Sequence, residues 1–215
     1  MDPVVAFQSG SPILLAGPTN SGKTRWVNRL LSHQMFTEKM ESIHYFYGVY
    51  DKFYTEMKNS SHITAPIFFK KGLPSVEDID HIANGKFHVI VLDDLMDEIV
   101  KSVDMLQLFT KYCHHKNISA IFISQNIFQP GKYSRTISIN CHVIVLFANK
   151  RDESQITTFA RQIYPHNVKK FLEVYSTMMK EKYAYIVIDC TPAHPRQIKI
   201  RGDIFPGEHS FTFDI

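Results

Sequence analysis

An eight-residue segment near the start of the chain constrains the fold more than any other feature. It reads Gly-Pro-Thr-Asn-Ser-Gly-Lys-Thr and fits the pattern G-x-x-x-x-G-K-[ST] at every fixed position. An apolar run, residues 13–16, comes directly before it, and a helix-like run, residues 25–31, follows it. A strand, a glycine-flanked loop and a helix in this order form a nest of backbone N–H groups that favours anionic phosphate. The sequence therefore predicts a phosphate-binding loop.

The residues of this loop have separate predicted roles in binding a nucleoside triphosphate. Lys23 is expected to reach the β- and γ-phosphates, and the hydroxyl of Thr24 is expected to hold Mg²⁺. The alternative is a tight turn with a surface lysine, but the strand and helix in register on either side favour nucleotide binding. The residues predicted to bind the nucleotide are Gly17, Pro18, Thr19, Asn20, Ser21, Gly22, Lys23 and Thr24.

Length and composition fit one folded domain over residues 1–215. The chain has 215 residues, of which 44% are hydrophobic and 21% are charged, and its formal net charge is +3. A balance this close to neutral permits nucleic acid as a partner only through a local basic surface. The three scattered cysteines predict buried thiols in a reducing compartment. Since no apolar stretch approaches the ~18 residues that span a bilayer, we expect a soluble intracellular protein without a membrane partner.

The predicted elements alternate between strands and helices. An unbroken run of four apolar residues, 89–92, is typical of a parallel strand that is buried on both faces. Such alternation indicates an α/β fold with a mostly parallel central sheet flanked by helices. Residues 51–71 are ambiguous. The further predicted strands cover residues 42–47, 118–124, 142–147, 183–189 and 197–200, and the helices cover residues 75–83, 97–116, 153–164 and 167–179.

Two acidic residues, Asp93 and Asp94, follow the apolar strand at residues 88–92. The carboxyl end of such a strand is where a nucleotide-hydrolysing P-loop protein places its metal-holding acid. We expect Asp93 to coordinate Mg²⁺ through water, opposite Thr24, and Asp94 to polarise the attacking water. The alternative is that both acids cap the next helix, where negative charge complements the helix dipole.

Polar side chains later in the chain are candidates for the rest of the site. Gln125 ends the next predicted strand, and its amide could donate to the γ-phosphate and accept from water; the alternative is a polar cap on a turn. Arg135, in a predicted loop, is a candidate to neutralise transition-state charge from a neighbouring subunit. Arg151 competes with Arg135 for this role, and residue type alone leaves the choice open.

Three segments together carry a resemblance to a known family. They are Ala-Gly-Pro-Thr-Asn-Ser-Gly-Lys-Thr, Val-Ile-Val-Leu-Asp-Asp-Leu-Met and His-His-Lys-Asn-Ile-Ser-Ala-Ile-Phe-Ile-Ser-Gln-Asn. The chain resembles the genome-packaging ATPases of the FtsK–HerA superfamily, most closely those of Polinton/Maverick elements, adintoviruses and poxvirus-like viruses. The similarity continues through Arg135 to the late Ile-Phe-Pro-Gly at residues 204–207, and so spans nearly the whole chain.

The resemblance implies an additional-strand, RecA-like P-loop ATPase that acts as a DNA-stimulated motor. It would hydrolyse ATP, with Mg²⁺, in a ring of five or six subunits and move double-stranded DNA into a viral or virus-like capsid through a portal or vertex protein. It also implies Gln125 as the sensor and favours Arg135 over Arg151. The location would be the host nucleus or cytoplasm at sites of virion assembly, or the virion itself. Lys70, Lys71 and Lys132, in predicted loops, are candidate DNA contacts.

Two other function classes are compatible with the phosphate-binding loop. A small-molecule kinase of the nucleotide-kinase type has this size, but it needs an arginine-rich lid to keep water from the transferred phosphate. The acid pair suits water activation better than phosphate transfer. A nucleotide-dependent assembly factor without motor activity would keep the same loop. DNA-stimulated release of free phosphate would separate the motor from both alternatives.

Overall fold

The computed structural model describes residues 6–149, 151–192 and 199–213. Within them the chain forms a mixed α/β fold in which a mostly parallel sheet is flanked by helices, as predicted. The strands are β1 Ile13–Ala16, β2 Ser42–Tyr47, β3 Ile67–Lys71, β4 His88–Asp93, β5 Ile118–Ser124, β6 Val143–Phe147, β7 Tyr185–Asp189, β8 Lys199–Gly202 and β9 Phe211–Phe213.

The helices lie on both sides of this sheet. They are α1 Lys23–Ser32, α2 Phe53–Lys58, α3 Val76–Ile82, α4 Met96–Ile99, α5 Val103–Gln107, α6 Cys113–His115, α7 Ser134–Asn140, α8 Glu153–Ile163 and α9 Val168–Met178. A π-helical turn, Leu108–Tyr112, joins α5 to α6. Among the described residues, none of these helices is long and apolar enough to cross a membrane.

The described strands form one nine-stranded sheet in the order β3-β2-β4-β5-β1-β6-β7-β8-β9. All pairs from β3 to β6 are parallel, and all pairs from β6 to β9 are antiparallel. Two consecutive helices, α8 and α9, bring the chain back to the edge at which β6 ends, and β7 therefore runs opposite to β6. The important consequence for the site is that β5 lies between β4 and β1.

The apolar runs of the central strands have cores on both faces. Ile13 and Leu15 of β1 pack with Trp26 of α1, whereas Leu14 and Ala16 belong to a second cluster with residues of α4–α9. Successive strand side chains point to opposite faces, and a sheet covered on both faces needs apolar residues at every position. The unbroken apolar pattern is therefore explained by burial on both faces.

The predicted capping box of α3 is present. The Ser75 hydroxyl accepts from the Asp78 N–H at 3.1 Å, and the Asp78 carboxylate accepts from the Ser75 N–H at 3.0 Å. The ambiguous residues 51–71 resolve into α2 and β3. Of the predicted edge strand at residues 197–200, the first two residues lie outside the described ones, and β8 begins at Lys199.

Three predictions about local structure were wrong. The helix predicted over residues 97–116 is interrupted after α4, because the Ser102 hydroxyl caps a new helix by accepting from the Met105 N–H at 3.3 Å. Arg135 lies in α7 rather than in a loop. Lys70 and Lys71 end strand β3, and Lys70 forms an ion pair with Asp78 at 2.7 Å.

Candidate functional site

The phosphate-binding loop, the two acids and Gln125 meet at one edge of the sheet. They follow β1, β4 and β5, which are adjacent and parallel, so their carboxyl ends lie side by side. Together they line a cavity of about 670 Å³. Ligands of open α/β sheets bind at this edge, and we take the cavity as the candidate functional site.

Lys23 is folded back onto the phosphate-binding loop. Its Nζ atom donates to the backbone carbonyl oxygens of Gly17 at 2.5 Å and Pro18 at 2.8 Å. Burial lowers the pKa of Lys23 to about 8, and the negative charge of Asp93 opposes this shift. The adjoining Gly22 has φ 101°, a left-handed conformation that glycine adopts without steric cost. The fold therefore holds one partly desolvated ammonium group, that of Lys23, at the start of α1.

The buried Ser21 hydroxyl supports a phosphate-binding role for this loop. Within the described residues its Oγ atom has no hydrogen-bond partner. Buried polar atoms are rarely left unpaired, because each one costs free energy. A phosphate oxygen in the loop would supply a partner, so the loop residues fit the group that the sequence pattern predicts.

Asp93 is a buried carboxylate that three hydroxyl groups contact. The residue is only 8% exposed. Its Oδ2 atom accepts hydrogen bonds from the hydroxyl groups of Tyr45 at 2.7 Å, Tyr54 at 3.1 Å and Thr24 at 3.3 Å. Burial raises the pKa of Asp93, while these hydrogen bonds and the charge of Lys23 oppose the rise. The contacts fix the carboxylate beside the Thr24 hydroxyl.

Tyr45 and Tyr54 are site residues that sequence reasoning missed. Tyr45 lies on β2, the strand next to β4, and Tyr54 lies on α2. Their rings are in contact, with centroids 4.8 Å apart and planes inclined at 49°. The aromatic pattern of residues 42–47 indicated a strand, but only the pairing of β2 with β4 brings Tyr45 to the acid.

Asp94 differs from its neighbour in conformation and exposure. It is exposed, lines the cavity and has φ 56°, in the left-handed region. Its backbone packs against Gly48, and a β-carbon on Gly48 would overlap the Asp94 carbonyl oxygen. The Gly48 N–H also donates to the Asp93 carbonyl oxygen at 3.0 Å. Gly48, another residue that sequence reasoning missed, therefore sets where Asp94 projects.

Gln125 lines the same cavity and is exposed. It follows Ser124, whose hydroxyl donates to the Asn126 carbonyl oxygen at 2.7 Å and accepts from the Gln129 amide at 3.1 Å. These bonds shape the turn after β5 and leave the Gln125 side chain on the cavity side. The amide lies between the phosphate-binding loop and the acid pair because β5 lies between β1 and β4.

Neither candidate arginine lines the cavity of its own chain. Arg135 is exposed in the first turn of α7, and Arg151 is exposed just before α8. The structure thus brings together the loop, Asp93, Asp94 and Gln125, and it leaves both arginines outside. Each of them is accessible to a neighbouring molecule.

Thr24 and Asp93 fit the requirements of Mg²⁺. Magnesium takes oxygen ligands and is usually bound by one or two protein groups together with substrate phosphates. The Thr24 hydroxyl and the Asp93 carboxylate supply two such oxygens, 3.3 Å apart. Among the described residues no group of three or more His, Cys, Asp or Glu side chains forms a metal site, so this pair, completed by phosphate oxygens, is the candidate metal site.

The sheet order and the loop define the class of fold. A strand inserted between the loop-bearing β1 and the acid-ended β4 is the additional strand of the predicted RecA-like P-loop architecture. The chain has a P-loop NTPase fold, with the phosphate-binding loop at the expected edge of the sheet.

Comparison with known proteins supports this fold assignment. No protein-family model matches the chain, and no curated protein sequence does. Among solved structures, the DNA-packaging ATPase B204 of Sulfolobus turreted icosahedral virus matches with TM-score 0.60 and 13% identity, over 90% of this chain and 98% of B204. The genome-packaging NTPase B204 of Sulfolobus turreted icosahedral virus 2, with ATP-γS, matches with TM-score 0.58 and 12% identity, over 89% and 96%. At this identity the likeness is one of fold.

Proposed function

We propose that this chain is an Mg²⁺-dependent ATPase that moves double-stranded DNA into a viral or virus-like capsid. Residues 1–215 would form one ATPase domain, and several copies would act as a ring of five or six subunits. The observation that carries the proposal is the position of β5. It lies between the loop-bearing β1 and the acid-ended β4, and it places Gln125 between the phosphate-binding loop and Asp94.

The solved structures with the same fold support ATP as the substrate and genome packaging as the process. The B204 structures are described as a genome-packaging NTPase bound to ATP-γS, AMPPCP or AMP. The motifs that resemble FtsK–HerA packaging ATPases lie at β1, β4 and β5 of this fold. The finer resemblance to Polinton, adintovirus and poxvirus-like enzymes rests on the sequence motifs alone.

The side chains divide the proposed reaction among them. Lys23 exchanges its two loop carbonyl partners for β- and γ-phosphate oxygens. Thr24 and Asp93 would hold the Mg²⁺ ion, whose positive charge neutralises charge that develops on the phosphates. Asp94 accepts a proton from the attacking water. At the same time the water oxygen bonds to the γ-phosphorus, and the bond between that phosphorus and ADP breaks. Gln125 orients that water and donates to the γ-phosphate.

The ring accounts for the exposed arginine on α7. Arg135 would enter the site of the adjacent subunit and neutralise transition-state charge there, and Arg151 is the competing candidate. DNA would lie in the ring and be held through its phosphates, without base contacts, as a sequence-independent motor requires. The further partner would be a capsid portal or vertex protein. The site of action would be the host nucleus or cytoplasm where virions assemble, or the virion.

The test measures release of free phosphate from ATP by the purified full chain, with and without double-stranded DNA, together with native mass. We expect DNA-stimulated phosphate release by a ring, and loss of nucleotide binding or turnover in Lys23→Ala. Transfer of phosphate to a nucleoside monophosphate without free phosphate would replace the proposal by a kinase. Slow turnover that DNA does not change, in a complex that still assembles, would favour an assembly factor.

A further inference from the structure

The cavity has two unlike ends, and this polarity dictates how a nucleotide must lie in it. Asp93 ends β4 and Asp94 follows it, on the β5 side of the phosphate-binding loop. Tyr183 precedes β7 and lies on the opposite side of the loop, beyond β6. Because the γ-phosphate must face the acids and Gln125, the rest of the nucleotide extends away from them. The nucleobase therefore emerges on the side where Tyr183 lines the cavity.

We propose that Tyr183 is the stacking platform for the nucleobase of the bound triphosphate. This inference rests on the proposed nucleotide-binding function and adds to it the residue that contacts the base. Tyr183 is a large aromatic side chain that is 46% exposed although it lines the cavity. Exposed aromatic rings stack on bases because every base has a π-face.

The backbone of Tyr183 is held in a conformation that aromatic residues seldom adopt. Its φ is 67°, in the left-handed region, where a bulky side chain carries a steric cost. The ring lies directly against the phosphate-binding loop, since a β-carbon on Gly22 would come within 3.3 Å of the Tyr183 Cδ1 atom. The unfavourable conformation thus places an exposed ring at the margin of the loop.

The ring also contacts a cation from its own chain. The Lys182 Nζ atom lies 4.8 Å from the centre of the Tyr183 ring. An ammonium group over a solvent-exposed ring is held only weakly, so a stacking base can displace it. This end of the cavity therefore offers an exposed aromatic face for the base, with a positive charge beside it.

Base stacking predicts that Tyr183 matters for ATP but not for a triphosphate without a base. Calorimetry on Tyr183→Ala, with Mg²⁺ present, should find ATP affinity reduced about five- to hundredfold, as expected for the loss of one base–aromatic stack. Affinity for inorganic tripolyphosphate should not change. Tyr183→Phe should bind ATP like the natural protein, because the ring and not the hydroxyl makes the contact.

Tyr50 provides the matched control. It is 54% exposed and lines the same cavity, but it lies among the residues at the acid end, with its ring 5.6 Å from that of Tyr54. Because the base does not reach that end, Tyr50→Ala should change the affinities for ATP and tripolyphosphate by the same factor. A selective loss of ATP affinity in Tyr50→Ala, and not in Tyr183→Ala, would overturn the proposal.

A fluorescence measurement tests the contact itself. The chain has one tryptophan, Trp26, which is only 3% exposed, so Tyr183→Trp adds an accessible reporter. ATP should quench the added emission, and tripolyphosphate should not. Normal ATP binding by Tyr183→Ala would disprove base stacking and leave the ATPase proposal intact. Failure of the natural protein to bind either ligand would overturn both.

Discussion

The surroundings of Asp93 and Arg135 contrast in every respect that matters for a catalytic group. Asp93 is buried, and hydroxyl groups from α1, β2 and α2 contact it. Arg135 is exposed on α7 and lies outside the cavity. A carboxylate in a low-dielectric site must be paired and held by its own chain, since an unpaired buried charge is very costly. An exposed arginine has no such requirement.

Under the proposed mechanism, the folded chain prepares one half of the site, and assembly with a second copy would supply the other half. The phosphate-binding loop, Asp93 and Gln125 are positioned by adjacent strands of one sheet. The arginine completes the site only if a second copy brings α7 to the cavity. Four experiments test this division.

The largest expected effect comes from separating the two halves on different subunits. Arg135→Ala and Asp94→Asn should each reduce turnover strongly, by about 10³–10⁵-fold for the arginine. Mixing the two variants should restore part of the phosphate release, because a ring then contains interfaces with one intact acid and one intact arginine. Arg151→Ala, mixed in the same way, is the matched control. Intact mixed rings without any recovery would remove Arg135 from the site.

The second largest effect concerns the position of Asp94. Gly48→Ala forces the Asp94 backbone to move, since the new β-carbon overlaps its carbonyl oxygen. We expect kcat to fall about 10²-fold, the usual scale for misplacing a catalytic group by about 1 Å, with ATP binding retained. Gly85→Ala is the control, because nothing lies near its β-carbon. It should cost stability through its φ of 84° but should preserve turnover per folded molecule.

The third prediction uses the pKa of Lys23. Burial lowers this pKa to about 8, and bound phosphates favour the charged form, so ATP binding takes up a proton above that pH. Affinity should stay constant below pH 8 and weaken above it, by about thirtyfold at pH 9.5, as the protonated fraction falls tenfold per unit. Calorimetry at several pH values measures this. Lys23→Arg keeps its charge and should lose the slope; a flat profile in the natural protein would contradict the prediction.

The smallest expected effect is that of removing one tyrosine hydrogen bond to Asp93, compared with a change that affects only the packing of the same aromatic cluster. Tyr54→Phe removes one hydrogen bond to the carboxylate and should raise the Mg²⁺ concentration for half-maximal turnover about tenfold, the lower end for residues that orient a metal ligand. Tyr50→Phe removes a hydroxyl from the same aromatic cluster, where it contacts Thr55 at 2.7 Å, and should change nothing. Equal effects of both variants would mean that packing alone is responsible.

The parts of the site that could be predicted from sequence are those with local patterns. The phosphate-binding loop is a contiguous motif, and residues 89–92 before Asp93 are all apolar because both faces of the sheet are covered. Gln125 is predicted in the same way, since β5 is apolar from Ala120 to Ile123 and buried at every position. These patterns involve residues that are close together in the sequence, so they can be recognised without a structure.

The missed residues depend on which strands pair. Tyr45 reaches Asp93 only because β2 is hydrogen-bonded to β4, and nothing in its own segment indicates that partner. Gly48 is needed because a β-carbon there would overlap Asp94, which lies 46 positions later in the chain. The sequence predicts a loop at Arg135 because Pro130 and Gly131 come just before it and Tyr133, at the helix N-terminus, is not a capping residue.

The C-terminal part of the described chain is linked to the phosphate-binding loop through the back of α1. Phe205 is 2% exposed, its ring lies 5.6 Å from that of Trp26, and Glu208 forms an ion pair with Arg29 at 2.6 Å. A nucleotide at the front of α1 and this segment at its back stabilise the same helix. By linkage each favours the other, so nucleotide should slow proteolysis at residues 204–208, far along the chain from the loop that binds it.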